Sequence, residues 1–229
     1  MTSENGPTRL CPLVTPAAAA NNPPYHHSKQ DDDIDSPVAV PPTTGNNFLV
    51  TSPYTTSAHL LDLSRLDKPS QLLARALAIL QPVRDDYATA PYVDSFNWPA
   101  VLELLQALSC AEAYSWTERR FYVILFRSRL KSTADRDYLH ELDAESHREA
   151  VDSGGLLKYW FGSANANREN LATCIWRSRQ DARVGGTGPW HRRARNAIEG
   201  LYEEINLTTL ELVIGDAVEG WRMAEWSED

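Results

Sequence analysis

At 229 residues the chain has room for one good-sized domain and a long tail, and its formal charge of -9 (22 basic and 31 acidic residues) disfavours general affinity for nucleic acid or anionic membrane, which needs many Lys and Arg contacts. No apolar run approaches the ~18 residues of a membrane span, and no basic start with an apolar core marks a secretory leader, so cytosol or nucleus is the expected location. Cys11, Cys110 and Cys174 lie far apart, make no metal-type spacing and leave one unpaired in any disulfide scheme, which fits a reducing compartment.

Residues 1–46 read as a disordered tail. Eight of the 14 prolines fall there, with the alanine run Ala17 to Ala20 and the acidic patch Asp31, Asp32, Asp33 and Asp35, and the apolar area is too small to offset the entropy of ordering. Residues 47–118 read as a mainly helical layer. Asp67 can cap a helix opened by Pro69, with Leu72, Leu73, Ala76, Leu77 and Leu80 on one face until Pro82 stops it. A second helix starts at Asn97, where Pro99 is tolerated in the first turn and Trp98, Val101, Leu102, Leu105 and Leu108 recur at helical spacing. The stretch from Tyr87 to Phe96 has no clear period and reads as a packed loop.

Residues 119–229 are more regular. Phe121 to Leu130 reads as a strand, Asp135 to Ser153 as a helix ended by Gly154-Gly155, and Leu156 to Gly162 and Leu171 to Ser178 as two strands joined by a polar loop. Pro189 then opens a helix with an apolar stripe at Trp190, Ala194, Ala197, Ile198, Leu201 and Ile205, and a strand passes through Leu210, Leu212 and Ile214. The predicted class is therefore α+β: a ferredoxin-like βαββαβ antiparallel sheet with two helices on one face, preceded by the helical layer.

An antiparallel sheet with one wet face alternates apolar with polar residues, and these strands do not. Tyr122, Ile124 and Phe126 oppose Phe121, Val123 and Leu125; Leu157, Tyr159 and Phe161 are expected to oppose Leu156 and Trp160; Cys174 and Trp176 oppose Leu171 and Ile175. Something must cover the second face, either the preceding helices or the sheet of a second chain, because bare apolar surface at ~25 cal/mol per Å² strongly favours association.

At Cys174-Ile175-Trp176-Arg177-Ser178, followed by Ala182 and then Gly188-Pro189-Trp190-His191, the chain resembles the dimeric α/β-barrel superfamily that includes antibiotic-biosynthesis monooxygenases. More closely, residues 147–162 (HREAVDSGGLLKYWFG) and 170–178 (NLATCIWRS) are similar to a family of fungal proteins of unknown function, a likeness that implies no activity. The superfamily resemblance implies a homodimer with two sheets facing across a barrel and an apolar pocket between each sheet and its helices, used in some relatives for cofactor-free oxygenation. The long N-terminal layer and an expected extra strand, Trp221 to Trp226, beyond the usual fourth depart from that pattern, and the layer could replace the partner.

Candidate site residues follow from helix projection. His140, Asp143 and His147 share a ridge between the core face (Tyr138, Leu139, Leu142, Ser146, Ala150) and the water face, so Asp143 could orient His147 as a catalytic base; an ordinary helix flank is the alternative. As a zinc site the ridge is weak, since its histidines stand seven residues apart with no cysteine to join them, and no metal is expected. Around the start of the last helix, His191, Arg192 and Arg195, with Arg177, place positive charge where a ligand carboxylate or phosphate would fit, as would an Asp or Glu of the protein itself. His191 projects to the edge of the apolar stripe, and Tyr159 and Trp176 line either the pocket or the core. The sequence thus supports a small, mostly apolar ligand with an acidic end, bound without a cofactor; proton abstraction by His147 or His191 before oxygenation is what the resemblance implies. A non-enzymatic scaffold using the sheet only for assembly is the rival reading.

Overall fold

The computed structural model describes residues 47–227; the tail expected over residues 1–46 lies outside them. The described chain mixes helices with antiparallel sheet. A short pairing of β1 (Phe48–Leu49) with β2 (Leu61–Asp62) is followed by α1 (Lys68–Ala76), the single turn α2 (Tyr92–Ser95) and α3 (Trp98–Ala111). Then come β3 (Arg119–Leu130), α4 (Arg136–Ser153), β4 (Leu156–Phe161), β5 (Glu169–Trp176), α5 (Arg179–Gly185), α6 (Pro189–Leu201), β6 (Tyr202–Ile214) and β7 (Trp221–Glu225).

Local chemistry sets most element ends. The Asp135 carboxylate accepts the Tyr138 amide at 3.0 Å and starts α4. Gly154 and Gly155, at φ 82° and 83°, end it in a conformation that other residues adopt only with strain. Asp67 and Asn97 make no side-chain cap. Asn97 instead accepts from the Gln81 amide at 2.9 Å and donates to the Ile79 carbonyl at 3.0 Å, holding the end of the α1 region against the start of α3.

Strands run in the order β4-β5-β3-β6-β7, with every neighbouring pair antiparallel. β6 begins at Tyr202, so Ile205 belongs to the sheet and not to the last helix, and the strand is much longer than Leu210 to Ile214. Pairing of residues 202–209 with β3 outweighs the local helical spacing of Ile205, a preference no periodicity reports. The short helix α5, capped by the Ser178 hydroxyl accepting from the Asp181 amide at 3.1 Å, was not expected from the pattern.

The first sheet face is dry. Phe121, Val123, Leu125, Leu157, Leu171, Ile175, Leu212 and Ile214 join one core with Leu72, Leu73, Leu77, Trp98 and Leu105 of the N-terminal layer. Arg127, on the same face, donates to the carbonyls of Ala88 and Ala90, and the Tyr92 hydroxyl meets Thr173 Oγ1 at 2.9 Å, so the loop before α3 is pinned to the sheet. Of the two covers expected, the preceding helices of the same chain occupy this face. Lys158 is buried with no ionic partner among the described residues, and burial pushes its amine down to about 8.

On the second face Tyr122, Leu156, Tyr159 and Trp176 pack with Ala150 and Val151 of α4 and Ala182 of α5. The expected faces of β4 need correction. Its register shifts between Leu156 and Lys158, so Leu156 lies with Tyr159 and Phe161, while Leu157 and Trp160 face the N-terminal layer. Among the described residues no helix is long and apolar enough to cross a membrane.

Candidate functional site

The second face is where titratable side chains gather, and α4 supplies most of them. Residues 50–65 form a strap that runs along the outer edge of β4 and then along α4. The Tyr159 amide donates to the Thr51 carbonyl at 2.9 Å, and Arg65 Nη1 donates to the Asp152 carbonyl at 2.9 Å. Between these anchors the strap places Tyr54 and His59 against the α4 ridge.

Asp143 is held from two sides. Tyr54 donates its hydroxyl to Oδ2 at 2.5 Å, and Tyr159, from β4, donates to Oδ1. Burial raises the Asp143 carboxyl above its ordinary range, against the bonds from Tyr159 and Tyr54 and the charges of His140 and His191. Both tyrosines are in turn raised, first by burial and then by Asp143, so each phenol stays protonated and donating.

His147, one turn on, is 4 % exposed, and its Nδ1 lies 2.9 Å from His59 Nδ1. One ring must donate and the other accept, so both cannot carry two protons. Burial, followed by the proximity of His59, pushes His147 down to about 3, and burial also lowers His59. Among the described residues Nε2 of His147 is buried without a partner. Tyr54 sits amid this group, its ring 4.8 Å from His59, 5.2 Å from His147, 5.7 Å from His140 and 6.1 Å from Phe161.

The ridge His140, Asp143 and His147 is therefore brought together, but the expected pairing within it is not made. Asp143 is engaged by tyrosines and His147 by a histidine, so Asp143 does not orient His147. Tyr138, expected in the core, is 42 % exposed. Among the described residues no cluster of three or more His, Cys, Asp or Glu side chains is arranged to hold a metal ion.

The positive end of α6 has its anion within the chain. Glu149 of α4 accepts the amides of Trp190 at 2.7 Å and His191 at 3.1 Å, and its Oε2 lies 3.0 Å from His191 Nδ1. Burial opposes ionisation of Glu149, yet these bonds hold it below the ordinary carboxylate range. Gly188 makes room for it, since a Cβ there would stand 2.2 Å from Glu149. The arginines do not converge on a ligand site: Arg177 forms a two-pronged bond with Asp181 at 2.9 and 2.6 Å, Arg195 Nη1 donates to the Gly186 carbonyl at 2.9 Å, and Arg192 is exposed. Trp176 is a core residue packed over Gly185.

Between α4, α6 and the sheet, enclosure is incomplete. Ile124, Phe126, Phe161, Cys174 and Tyr202 all keep open surface, and α6 buries only Leu201 completely. Cys174 carries a free thiol, raised by burial and by Asp143; Tyr202 is pushed up to about 12 by the same two causes. Ile124, Phe161 and Cys174 thus leave partly open apolar surface on the sheet face where Tyr159 holds Asp143. Tyr54, His59 and Glu149 were not among the expected site residues; the strap has no period to mark it, and Glu149 reads as one more surface acid of α4.

Residues 50–225 match the family model described as PB2B2.08-like. The UPF0643 protein PB2B2.08 of Schizosaccharomyces pombe is 36 % identical over 186 residues, covering 78 % of this chain and 84 % of that protein. Among solved structures, Rv0793 from Mycobacterium tuberculosis is 18 % identical, covers 39 % of this chain and 92 % of its own, and aligns with a TM-score of 0.36. A dimeric ferredoxin-like protein of unknown function from Thermobifida fusca is 15 % identical, with 41 % and 92 % coverage and a TM-score of 0.33. SnoaB, a cofactor-independent oxygenase from Streptomyces nogalater, is 8 % identical, with 40 % and 90 % coverage and a TM-score of 0.33.

Proposed function

This chain belongs to the PB2B2.08-like family, and we propose that it binds a small, largely apolar molecule in the cleft between α4, α6 and the second sheet face. In this reading residues 119–229 are a ferredoxin-like βαββαβ unit, and residues 47–118 are the cover of its other face. The observation that carries it is Asp143, a carboxyl enclosed by two phenols yet electrostatically coupled to Cys174 and Tyr202, which keep open surface.

The same group defines the chemistry open to the site. Asp143 with Tyr54 and Tyr159 can take a proton from a bound molecule, the kind of step with which cofactor-free oxygenation begins. His147 has its free nitrogen shut away and His191 is engaged by Glu149, so both act as supports for the wall and for α6. The acidic end expected of the ligand loses its anchor, because Glu149 fills the positive helix end.

A homodimer belongs to the proposal, but not by packing sheet face on sheet face, since the first face is filled. β7 is an edge of the sheet among the described residues. Antiparallel self-pairing about Met223 and Ala224 would set Arg222 opposite Glu225 of the partner subunit.

Native mass spectrometry of the freshly purified full chain tests both parts. We expect a two-chain species and a retained small-molecule mass that disappears when Cys174→Phe fills the cleft. A bare single-chain mass would sink the dimer and, with unchanged behaviour of the filled variant, the binding reading, leaving a sheet that serves only as a scaffold.

A further inference from the structure

We infer that the ligand of this cleft is an organic ammonium ion, a small aromatic or apolar amine whose positive charge rests on Asp143; this builds on the binding reading above. Three observations lead there. The first is the hydrogen-bonding sense of the polar end. Tyr54 and Tyr159 each give their only hydroxyl proton to Asp143, so toward any ligand the carboxylate and the two phenolic oxygens offer lone pairs alone. A carboxylate or carbonyl ligand would meet acceptors with an acceptor, whereas an N–H donor completes the set.

The second is charge. Asp143 forms no ion pair with Lys or Arg among the described residues, and burial keeps its carboxyl above the ordinary range although two phenols donate to it and His140 and His191 lie near. A charge on this enclosed carboxyl would have no Lys or Arg partner among the described residues, and an enclosed carboxylate without a cation is costly. A bound ammonium supplies what is missing.

The third is the walls. The rings of Tyr54 and Tyr159 both lie near Phe161, at 6.1 and 5.7 Å between centroids, and His140 flanks Tyr54 at 5.7 Å. Aromatic faces beside a carboxylate are the surroundings in which an ammonium is held by ring quadrupole and charge together. Neither a simple apolar core nor an anion site needs all three features at one place.

The test titrates the full chain at about pH 8, where small amines remain charged. The probes are benzylamine and benzyltrimethylammonium against benzyl alcohol and benzoate. Binding is read by melting temperature and by slowed alkylation of Cys174, located by peptide mass. We expect benzylamine, which brings charge and N–H donors together, to bind at least about tenfold more tightly than the alcohol, with benzyltrimethylammonium, which brings charge alone, between them, and Asp143→Asn to erase that order. The comparison between probes on the unaltered chain stands even if the variant folds poorly. Alcohol or benzoate binding as well as the cations would overturn the ammonium inference while leaving the cleft intact. No probe shielding Cys174 or raising the melting temperature would overturn the inference and the cleft reading together.

Discussion

The two faces of one sheet differ in how they are finished. On the first, leucines, isoleucines and tryptophan from α1, α3 and the strands close against one another, and polar anchors tie the cover down: Arg127 donates to backbone carbonyls and Thr173 meets the Tyr92 hydroxyl. On the second, α4 brings Asp143, His147 and Glu149 against the sheet and α6, phenols, imidazoles and backbone amides bond to them, and apolar residues keep open surface. The strands contribute similar side chains to both. What differs is the covering element: N-terminal helices whose buried residues are mostly apolar, against a helix that sets Asp143 and His147 among its inward residues.

Truncating the dry face should have the largest effect. Ile175→Ala, at a site with no exposed surface, is expected to cost about 2–5 kcal/mol by urea unfolding, as for buried aliphatic residues elsewhere. A loss under about 1 kcal/mol would mean that the N-terminal layer does not press on the sheet.

Acid should single out the second face. His147 is held neutral in the fold, down to about 3, against 6.5 in the free side chain. Above pH 6.5 both states are neutral there and nothing is lost; as pH falls below 6.5 the unfolded chain gains a proton that the folded one refuses, so stability declines until the folded value is reached. Between pH 6.5 and about pH 5 the loss is about 2 kcal/mol, and lowering of His59 adds in the same direction. Asp143 works oppositely, because its raised carboxyl takes up a proton more readily in the fold than in the unfolded chain as pH falls. Chemical denaturation at several pH values checks this: His147→Phe should flatten the slope, and an unchanged slope would show that the histidine pair does not control it.

The smallest change expected is a gain. Lys158 is buried without an ionic partner among the described residues and its amine is pushed down to about 8, so its charged form is disfavoured in the fold at neutral pH. Lys158→Met should raise stability by about 1–2 kcal/mol. Destabilisation instead would reveal that the ammonium has a polar role in the first-face core.

Much of this architecture was legible in the pattern. The strands at Phe121, Leu156 and Leu171, the helices at Pro69, Asn97, Asp135 and Pro189, and the extra strand at Trp221 stand where spacing and caps put them, because these signals act over a few residues. Long-range pairing escaped it: β6 reaches back to Tyr202 through its bonds to β3, and the shift in β4 exchanges the faces of Leu156 and Leu157. The site was half visible. Projection grouped His140, Asp143 and His147, but nothing in the order of residues tells that Tyr54, 89 positions away, would take Asp143, or that His59 would take His147.

By itself, then, the order of residues determined that the strands are apolar on both sides and therefore covered twice, since alternation is a property of neighbours along the chain. Which element does the covering, and which donor meets each buried acid, only the tertiary structure decided. Glu149 at the start of α6 and the phenols on Asp143 are choices between partners far apart in sequence, made when burial removes water and leaves each carboxylate to the nearest hydrogen it can reach.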